Sequence, residues 1–162
     1  MSLPRWIAGA NPRRTLIRVV VLVAVSYVVF GFVLLPVRGV GISMEPTIGS
    51  GDLIFINRLA YRFRQPQRGD IIAVRLAGRS VVYVKRLIAL PGERVKIEAG
   101  AVSVDGAYLD EPYANKRDDW WLSEVMLGPD DYFVVGDNRS MRMENHEFGT
   151  APLARLIGPK AF

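Results

Sequence analysis

An uncharged apolar stretch near the start of the chain constrains its fold more than any other feature. Residues 19–35 contain no charged side chain and are almost entirely aliphatic or aromatic. Counted from Leu16, with Arg18 able to extend its charge to the membrane surface, the stretch reaches the roughly 20 residues that cross a bilayer as a helix. The sequence therefore predicts a transmembrane anchor over residues 16–36, with a buried core helix as the alternative.

The residues around this stretch indicate how it is used. No A-x-A-like cleavage site follows it, as a removable signal peptide would need, so an uncleaved anchor is predicted. Four arginines precede or begin the stretch: Arg5, Arg13, Arg14 and Arg18. Only Arg38 lies closely behind it. The positive-inside rule then predicts a cytoplasmic segment over residues 1–15 and an extracytoplasmic domain over residues 37–162, attached to the cytoplasmic membrane by a single span.

From Gly39 onward the pattern changes to short apolar runs separated by Gly, Pro and Asp, which is typical of strands and turns. The predicted strands are residues 52–57, 70–75, 81–87, 95–98, 101–104 and 132–135. Asp105-Gly106 predicts a two-residue hairpin turn. Residues 59–63 are predicted as a short helix or an irregular connection. The sequence thus predicts a mostly β fold, in which one transmembrane helix precedes a compact antiparallel sheet domain.

Residues 113–127 lack strand alternation and are predicted to be irregular. Two tryptophans in this segment, Trp120 and Trp121, are interpreted as partly buried against the sheet. The alternative is that one of them contacts the membrane interface, where indole rings are favoured.

Composition limits the partners that the sequence predicts. The net charge is +5, but no nucleic-acid-binding motif accompanies it, so no nucleic-acid partner is predicted. Basic residues behind the span are instead expected to face the headgroups of the lipid bilayer. The chain contains no cysteine and no cluster of His and carboxylate residues with metal-ligand spacing, so we expect no disulfide, metal or cofactor.

Ser43 and Lys85 are the pair of residues that points to chemistry. Ser43 lies in a turn sequence just behind the predicted anchor, and Lys85 lies in an almost wholly apolar run, residues 81–88. A serine hydroxyl needs a base to become nucleophilic, and burial among apolar side chains favours a neutral lysine that can act as that base. His146 is the only histidine, so a Ser-His-Asp triad could use only that residue, whereas a Ser-Lys dyad needs none. We interpret His146 as a structural or surface residue.

Four sequence blocks, in a fixed order behind the anchor, resemble the type I signal peptidase family. The blocks are residues 43–47 with Gly51-Asp52, residues 68–72, residues 83–86 with 90–93, and residues 136–139 running on to Gly149. One block alone would be weak evidence for the resemblance. All four blocks in this order, across residues 16–162, are specific to the family.

The resemblance implies a membrane-bound serine endopeptidase that removes signal peptides from exported preproteins through an acyl-enzyme. Ser43 would be the nucleophile and Lys85 the general base. Backbone N–H groups around Ser43 and Gly41 would form the oxyanion hole, because Gly41 stands where some members carry a serine. Shallow pockets for small substrate side chains would be lined by Met44, Ile48, Ile54, Ala73, Tyr83 and Val84. Structural support would come from Arg86, Asp137, Asn138, Arg139 and Glu144, with Asp137 paired to Arg86.

The fourth block departs from the family pattern at three positions. The family serine that hydrogen-bonds the base lysine falls on Arg142, the acidic position holds Glu144, and the final arginine is replaced by His146. An arginine near Lys85 would favour the neutral lysine by charge repulsion but cannot accept its hydrogen bond. We expect Ser140 as a candidate replacement for the missing hydroxyl. A specialised peptidase with one or a few substrates, and a peptide-binding relative without activity, stay open as alternatives.

Overall fold

The computed structural model of the protein describes residues 11–75, 82–115 and 119–162. Some positions that entered the sequence predictions lie outside the described residues: Val81, residues 116–118, and residues 1–10, which include Arg5.

The N-terminal apolar stretch forms one long helix. Helix α1 covers Pro12–Val28 and continues as a π-helical turn over Val29–Val33. Asn11 caps its N-terminus, because the side-chain oxygen accepts hydrogen bonds from the otherwise unpaired N–H groups of Arg13 and Arg14. The 22 residues are long and apolar enough to cross a membrane, and none is buried by the rest of the chain.

The remainder of the described chain is built from short antiparallel strands. The strands are β1 (Leu34–Arg38), β2 (Leu53–Asn57), β3 (Ile71–Arg75), β4 (Val82–Ala89), β5 (Arg94–Glu98), β6 (Ala101–Val104), β7 (Ala107–Tyr108), β8 (Leu122–Met126), β9 (Asp131–Val135), β10 (Gly149–Pro152) and β11 (Leu156–Pro159). Short helical turns are α2 (Ala60–Phe63) and two 3-10 turns, Met143–Asn145 and Leu153–Arg155. The predicted mostly β, antiparallel fold is confirmed.

Six predicted strands appear within two residues of their expected ends, and four strands were missed. The missed strands β1, β8, β10 and β11 each contain a proline, a glycine or a charged residue, which strand patterns usually avoid. The last three residues assigned to the span, residues 34–36, lie in β1. The predicted hairpin turn is present between β6 and β7, where Asp105 and Gly106 adopt φ values of 50° and 82°.

The strands form three sheets that meet around the central strand β4. A two-stranded ribbon contains β1 and β2, a five-stranded sheet has the order β10-β9-β4-β3-β11, and a four-stranded sheet has the order β7-β6-β5-β8. Trp120 is fully buried in the core beneath the four-stranded sheet, whereas Trp121 is exposed, so the two tryptophans do not share one environment.

The ribbon follows the long helix directly, which fixes its distance from any membrane that the helix crosses. The N–H of Arg58, just after β2, donates to the Val33 carbonyl at 2.9 Å. Its guanidinium donates to the Gly31 carbonyl, also at 2.9 Å. Leu34 pairs with Asn57 at this end of the ribbon, so the loop between β1 and β2 lies at the other end, beyond the pair Arg38 and Leu53.

Candidate active site

Ser43 lies in the loop that joins β1 to β2. The base of this loop is closed by the Gly39 N–H, which donates to the Asp52 carbonyl at 2.8 Å. Nearer the serine, Asn138 donates its backbone N–H to the Ser43 carbonyl at 3.0 Å and its side-chain amide to the Ile42 carbonyl at 2.9 Å. The fourth sequence block therefore holds the backbone of the first block on both sides of the serine.

Gly136 brings the end of β9 into direct contact with the serine loop. A Cβ atom at this position would overlap the Ser43 carbonyl oxygen and lie 2.6 Å from Nε2 of His146. The Gly136 N–H donates to the same His146 nitrogen at 2.9 Å. Any side chain larger than hydrogen would therefore push these segments apart.

Lys85 lies on β4, the middle strand of the five-stranded sheet, opposite Ile72 of β3. The residue is only 3% exposed. Burial lowers the pKa of its ammonium to about 8, although the negative charges of Glu147 and Asp137 act in the opposite direction. The apolar run around Lys85 in the sequence predicted this preference for the neutral form.

His146 is a buried neighbour of Gly136 and is electrostatically coupled to Lys85. Burial, followed by the positive charges of Lys85 and Arg139, lowers the pKa of the imidazole to about 3. Because Nε2 accepts the Gly136 N–H, the ring proton belongs on Nδ1, which is buried without a hydrogen-bond partner among the described residues. The ring packs edge-on against Trp120, with centroids 4.9 Å apart. A neutral His146 thus adds no positive charge beside Lys85.

Asp137 connects the first, third and fourth blocks. Arg86 of β4 donates two hydrogen bonds to its carboxylate, at 2.8 and 2.6 Å, so the expected ion pair is present. The Thr47 hydroxyl of the serine loop donates to the same carboxylate. The Arg86 guanidinium also stacks 3.8 Å from the centroid of the Tyr113 ring. A buried charge pair is costly to break, so this contact fixes the serine loop against the strand that carries Lys85.

Arg139, which the sequence analysis placed among the structural supports, has a partner that the analysis missed. Both Arg139 and Glu111 are buried, and the guanidinium donates two hydrogen bonds to the carboxylate. Glu111 lies in an irregular segment after β7, where no periodic pattern marked it as an inward-facing residue.

Three predictions for the fourth block need correction. Arg142 is 71% exposed and pairs with Glu144, so it is not the group that lowers the pKa of Lys85; burial has that effect. Glu144 lies in the exposed 3-10 turn Met143–Asn145 and therefore does not join the buried support network. Ser140 is exposed, and its hydroxyl donates to the Asn138 side-chain oxygen at 2.6 Å, which gives it a partner other than the buried lysine.

Two clefts meet at Tyr83. The first, which we call the serine cleft, is lined by Val37, Arg38, Gly39, Val40, Gly41, Ser43, Met44, Ile48, Gly49, Val82, Tyr83 and Val84. Its apolar side chains dominate the wall beside Ser43. Four of the six predicted pocket residues line it. Ala73 is instead fully buried between β4 and β11, and Ile54 faces the core and a separate cleft near Phe162. Gly41 adopts a φ of +94°, a conformation that favours glycine.

The second, which we call the lysine cleft, crosses the face of the five-stranded sheet. It is lined by Val74, Arg75, Tyr83, Lys85, Val134, Glu147, Phe148, Gly149, Thr150, Ala151 and Arg155. Ser43 and Lys85 thus line adjoining clefts with Tyr83 as their common wall. Among the described residues, no group of three or more His, Asp or Glu side chains could hold a metal ion.

Comparison with known proteins agrees with these features. Residues 13–162 match the family described as signal peptidase, peptidase S26. Signal peptidase I S of Bacillus subtilis (strain 168) is 33% identical over 158 residues, which cover 89% of this chain and 84% of that protein. Probable signal peptidase I-2 of Synechocystis sp. is 35% identical over 122 residues, covering 72% of this chain and 56% of that protein.

Other similar proteins match over a smaller share of this chain or of their own length. A signal peptidase I crystal structure from Enterococcus faecalis V583 has a TM-score of 0.47 at 28% identity and covers 59% of this chain and 97% of that one. The chain spans 56%, 61% and 65% of the lengths of three similar signal peptidases from Synechocystis and Leptolyngbya laminosa. The family match extends over nearly all of the sequence, and the chain therefore belongs to the type I signal peptidase family, peptidase S26.

Proposed function

We propose that this protein is a membrane-anchored serine endopeptidase that cleaves signal peptides from exported preproteins with a Ser43–Lys85 dyad. The observation that carries the proposal is a buried lysine with a lowered pKa beside the network that holds the serine loop. A lysine of this kind is an effective base near neutral pH, whereas a solvated lysine stays protonated.

In the acylation step, Ser43 Oγ attacks the carbonyl carbon of the scissile peptide bond while Lys85 Nζ accepts the hydroxyl proton. The tetrahedral oxyanion is stabilised by backbone N–H groups around Ser43 and Gly41, since donors aimed at developing charge commonly make the largest contribution in acyl transfer. The C–N bond then breaks, Lys85 returns the proton to the departing amine, and the signal peptide remains as an ester on Ser43.

In the deacylation step, Lys85 is neutral again and accepts a proton from water as the water oxygen attacks the ester carbonyl. The second tetrahedral intermediate collapses, the Ser43 oxygen leaves and regains its proton, and the signal peptide is released with a free carboxylate. The same base thus serves both steps, so replacing Lys85 should abolish both acylation and deacylation.

The serine cleft is the proposed site for the residues that precede the scissile bond. Its apolar side chains, including Met44, Ile48 and Val84, suit small uncharged substrate side chains. Strand β9 pairs with β4 only from Arg86 onward, so among the described residues the first part of β4, residues 82–85, is paired on the β3 side alone. An extended peptide can add main-chain hydrogen bonds to the other side, the mode called β-augmentation.

We further propose that helix α1 crosses the cytoplasmic membrane, with its N-terminus in the cytoplasm and the sheet domain outside. The arginines that precede the helix support this orientation. The hydrogen bonds from Arg58 to the last turns of the helix support a sheet domain held close to the bilayer surface, where substrates that span the same membrane are cut.

The proposal is tested with detergent-solubilised full-length protein and a preprotein that has small residues at the −3 and −1 positions. We expect cleavage after the −1 residue by the wild type and none by Ser43→Ala or Lys85→Ala. Ser123→Ala, which changes an exposed serine on β8, is the matched control and should cleave normally. Substantial cleavage by both active-site variants would exclude the dyad.

The alternatives have different outcomes in the same assay. A specialised peptidase would cleave one preprotein from a panel and leave unrelated ones intact. A peptide-binding relative would cleave none, and its Ser43 would resist acylation by a serine-reactive peptide inhibitor although the protein is folded.

A further inference from the structure

We infer that the lysine cleft binds the residues that follow the scissile bond and favours acidic side chains among them. This inference rests on the proposed function, because it assigns the part of the substrate that becomes the mature protein to a specific surface. It goes beyond cleavage itself, since it predicts which mature N-termini are released fastest.

The direction of the substrate follows from the difference between the two clefts. The serine cleft is lined mainly by apolar and glycine residues, whereas the lysine cleft carries Arg75, Arg155 and Glu147 in addition to Lys85. The apolar signal-peptide side therefore fits the serine cleft. Lys85 must protonate the departing amine, so the chain that begins with this amine has to leave along the wall that Lys85 lines.

Two arginines stand side by side at one end of the lysine cleft. Leu156 of β11 pairs with Val74 of β3; Arg75 follows Val74 at the end of β3, and Arg155, the last residue of the 3-10 turn, directly precedes Leu156. Both are exposed, and neither has a carboxylate within 4.0 Å among the described residues. Adjacent like charges on paired strands are unfavourable unless an anion approaches them. We assign the role of this anion to an acidic side chain of the substrate.

The charged residues of the cleft come from different parts of the five-stranded sheet. Lys85 lies on the middle strand, Arg75 ends β3, Arg155 directly precedes β11, and Glu147 lies two residues before β10. A peptide that passes from Lys85 towards β11 therefore reaches the two arginines. An acidic side chain two or three residues after the scissile bond gains from these charges, and a basic one is repelled.

The inference is tested with three peptides that share the same residues before the scissile bond and carry Asp, Asn or Lys at the second and third positions after it. We expect kcat/KM to fall in the order Asp, Asn, Lys, with about a 3- to 10-fold difference between the extremes at low salt, the range for exposed charge pairs. High salt should reduce this difference, because exposed charges are screened.

The variant Arg75→Gln/Arg155→Gln should reduce the Asp-to-Lys ratio to about one while cleavage of the Asn peptide stays within about twofold, since only the charge is removed. Arg94→Gln, an exposed arginine on the four-stranded sheet, is the matched control and should keep the wild-type ratio. An unchanged ratio in the double variant, or equal cleavage of the three peptides by the wild type, would overturn the inference.

A binding measurement separates failure of this inference from failure of the proposed function. The same peptides, labelled with a fluorophore, are titrated with the Ser43→Ala variant, which is expected to bind peptides without cleaving them. An affinity order of Asp, Asn, Lys that disappears when the two arginines are changed supports the cleft assignment even if no peptide is cut. An affinity order that stays the same when the two arginines are changed would refute the inference.

Discussion

Lys85 illustrates how burial makes a lysine side chain lose its proton at a lower pH than usual. Burial on the middle strand lowers its pKa to about 8, and this effect outweighs two carboxylates that favour the charged form. The expected contribution of an arginine at position 142 is absent, because that side chain faces solvent. The lowered pKa of Lys85 therefore depends on its apolar surroundings. It has two measurable consequences, one for the pH dependence of catalysis and one for stability.

The first consequence is the pH dependence of catalysis. In the proposed mechanism only neutral Lys85 accepts the serine proton, so kcat/KM should be constant above pH 8 and fall about tenfold per pH unit below it, as expected for one essential base. His146, whose pKa is lowered to about 3, does not titrate in this range. The measurement is kcat/KM for one peptide between pH 6 and pH 10. A flat profile down to pH 6 would contradict the assignment of Lys85 as the base.

The second consequence concerns stability. The unfolded chain holds the lysine proton up to its ordinary pKa of 10.5, whereas the folded protein releases it near pH 8. Below pH 8 the buried charge therefore destabilises the fold, and this cost disappears as pH rises to 10.5. We expect Lys85→Met to raise the free energy of unfolding by about 3 kcal/mol at pH 7 and to have little of this effect above pH 10.5.

This stability difference is measured by denaturant titration in detergent, with the fluorescence of the buried Trp120 as one probe. Lys96→Met, a partly exposed lysine on β5 that pairs with Glu98, is the matched control and should not produce a pH-dependent gain of the same kind. A variant at position 85 that is less stable than the wild type at pH 7 would show that the native lysine is not destabilised by burial.

At the scale of elements, the decisive contact is between the end of β9 and the loop after β1. Gly136 permits this contact, because a Cβ atom would overlap the Ser43 carbonyl oxygen and approach the His146 ring. One of the overlapping atoms is the backbone carbonyl oxygen of Ser43, so a change of side-chain rotamer cannot relieve the clash. The hydrogen bonds from Asn138 to the serine loop depend on the same close approach.

We therefore expect Gly136→Ala to reduce kcat/KM by about 100-fold or more, since small displacements of reacting groups have effects of this size. Thermal stability should also fall, because the buried contacts around the glycine are forced apart. Gly31→Ala in the long helix, where a Cβ would meet nothing within 4 Å, is the control and should retain activity. Normal activity of Gly136→Ala would mean that the loop contact does not position the serine.

At the scale of the whole molecule, the orientation of the span determines where the cleft meets its substrate. The chain contains no cysteine, so single cysteines can be labelled without background. The cells are treated so that the reagent reaches the outer face of the cytoplasmic membrane while that membrane stays intact. A maleimide that cannot cross the membrane should then label Ser123→Cys, on an exposed part of β8, and leave Ser2→Cys unlabelled. Lysis should expose the second site. The reverse labelling pattern would overturn the proposed topology.

Much of the architecture was predictable because its signals are local. The length and apolar character of the N-terminal stretch indicated a span-length helix, and six strands and one hairpin turn followed from short-range patterns. Strands β1, β8, β10 and β11 were not predictable from these patterns, because pairing with neighbouring strands outweighs their unfavourable residues. The buried partner of Arg139 escaped notice because Glu111 lies in a segment without periodicity.

The sequence by itself determined the family, the alternation of strands and turns behind one apolar helix, and the candidate pair Ser43 and Lys85. These follow from residue order and from composition within short windows. Only the tertiary structure decided that Arg142 faces solvent, that Asp137 joins three blocks, and that two clefts of different charge meet at Tyr83. Burial, charge pairing and cleft shape depend on which distant segments pack together, and no local pattern encodes that.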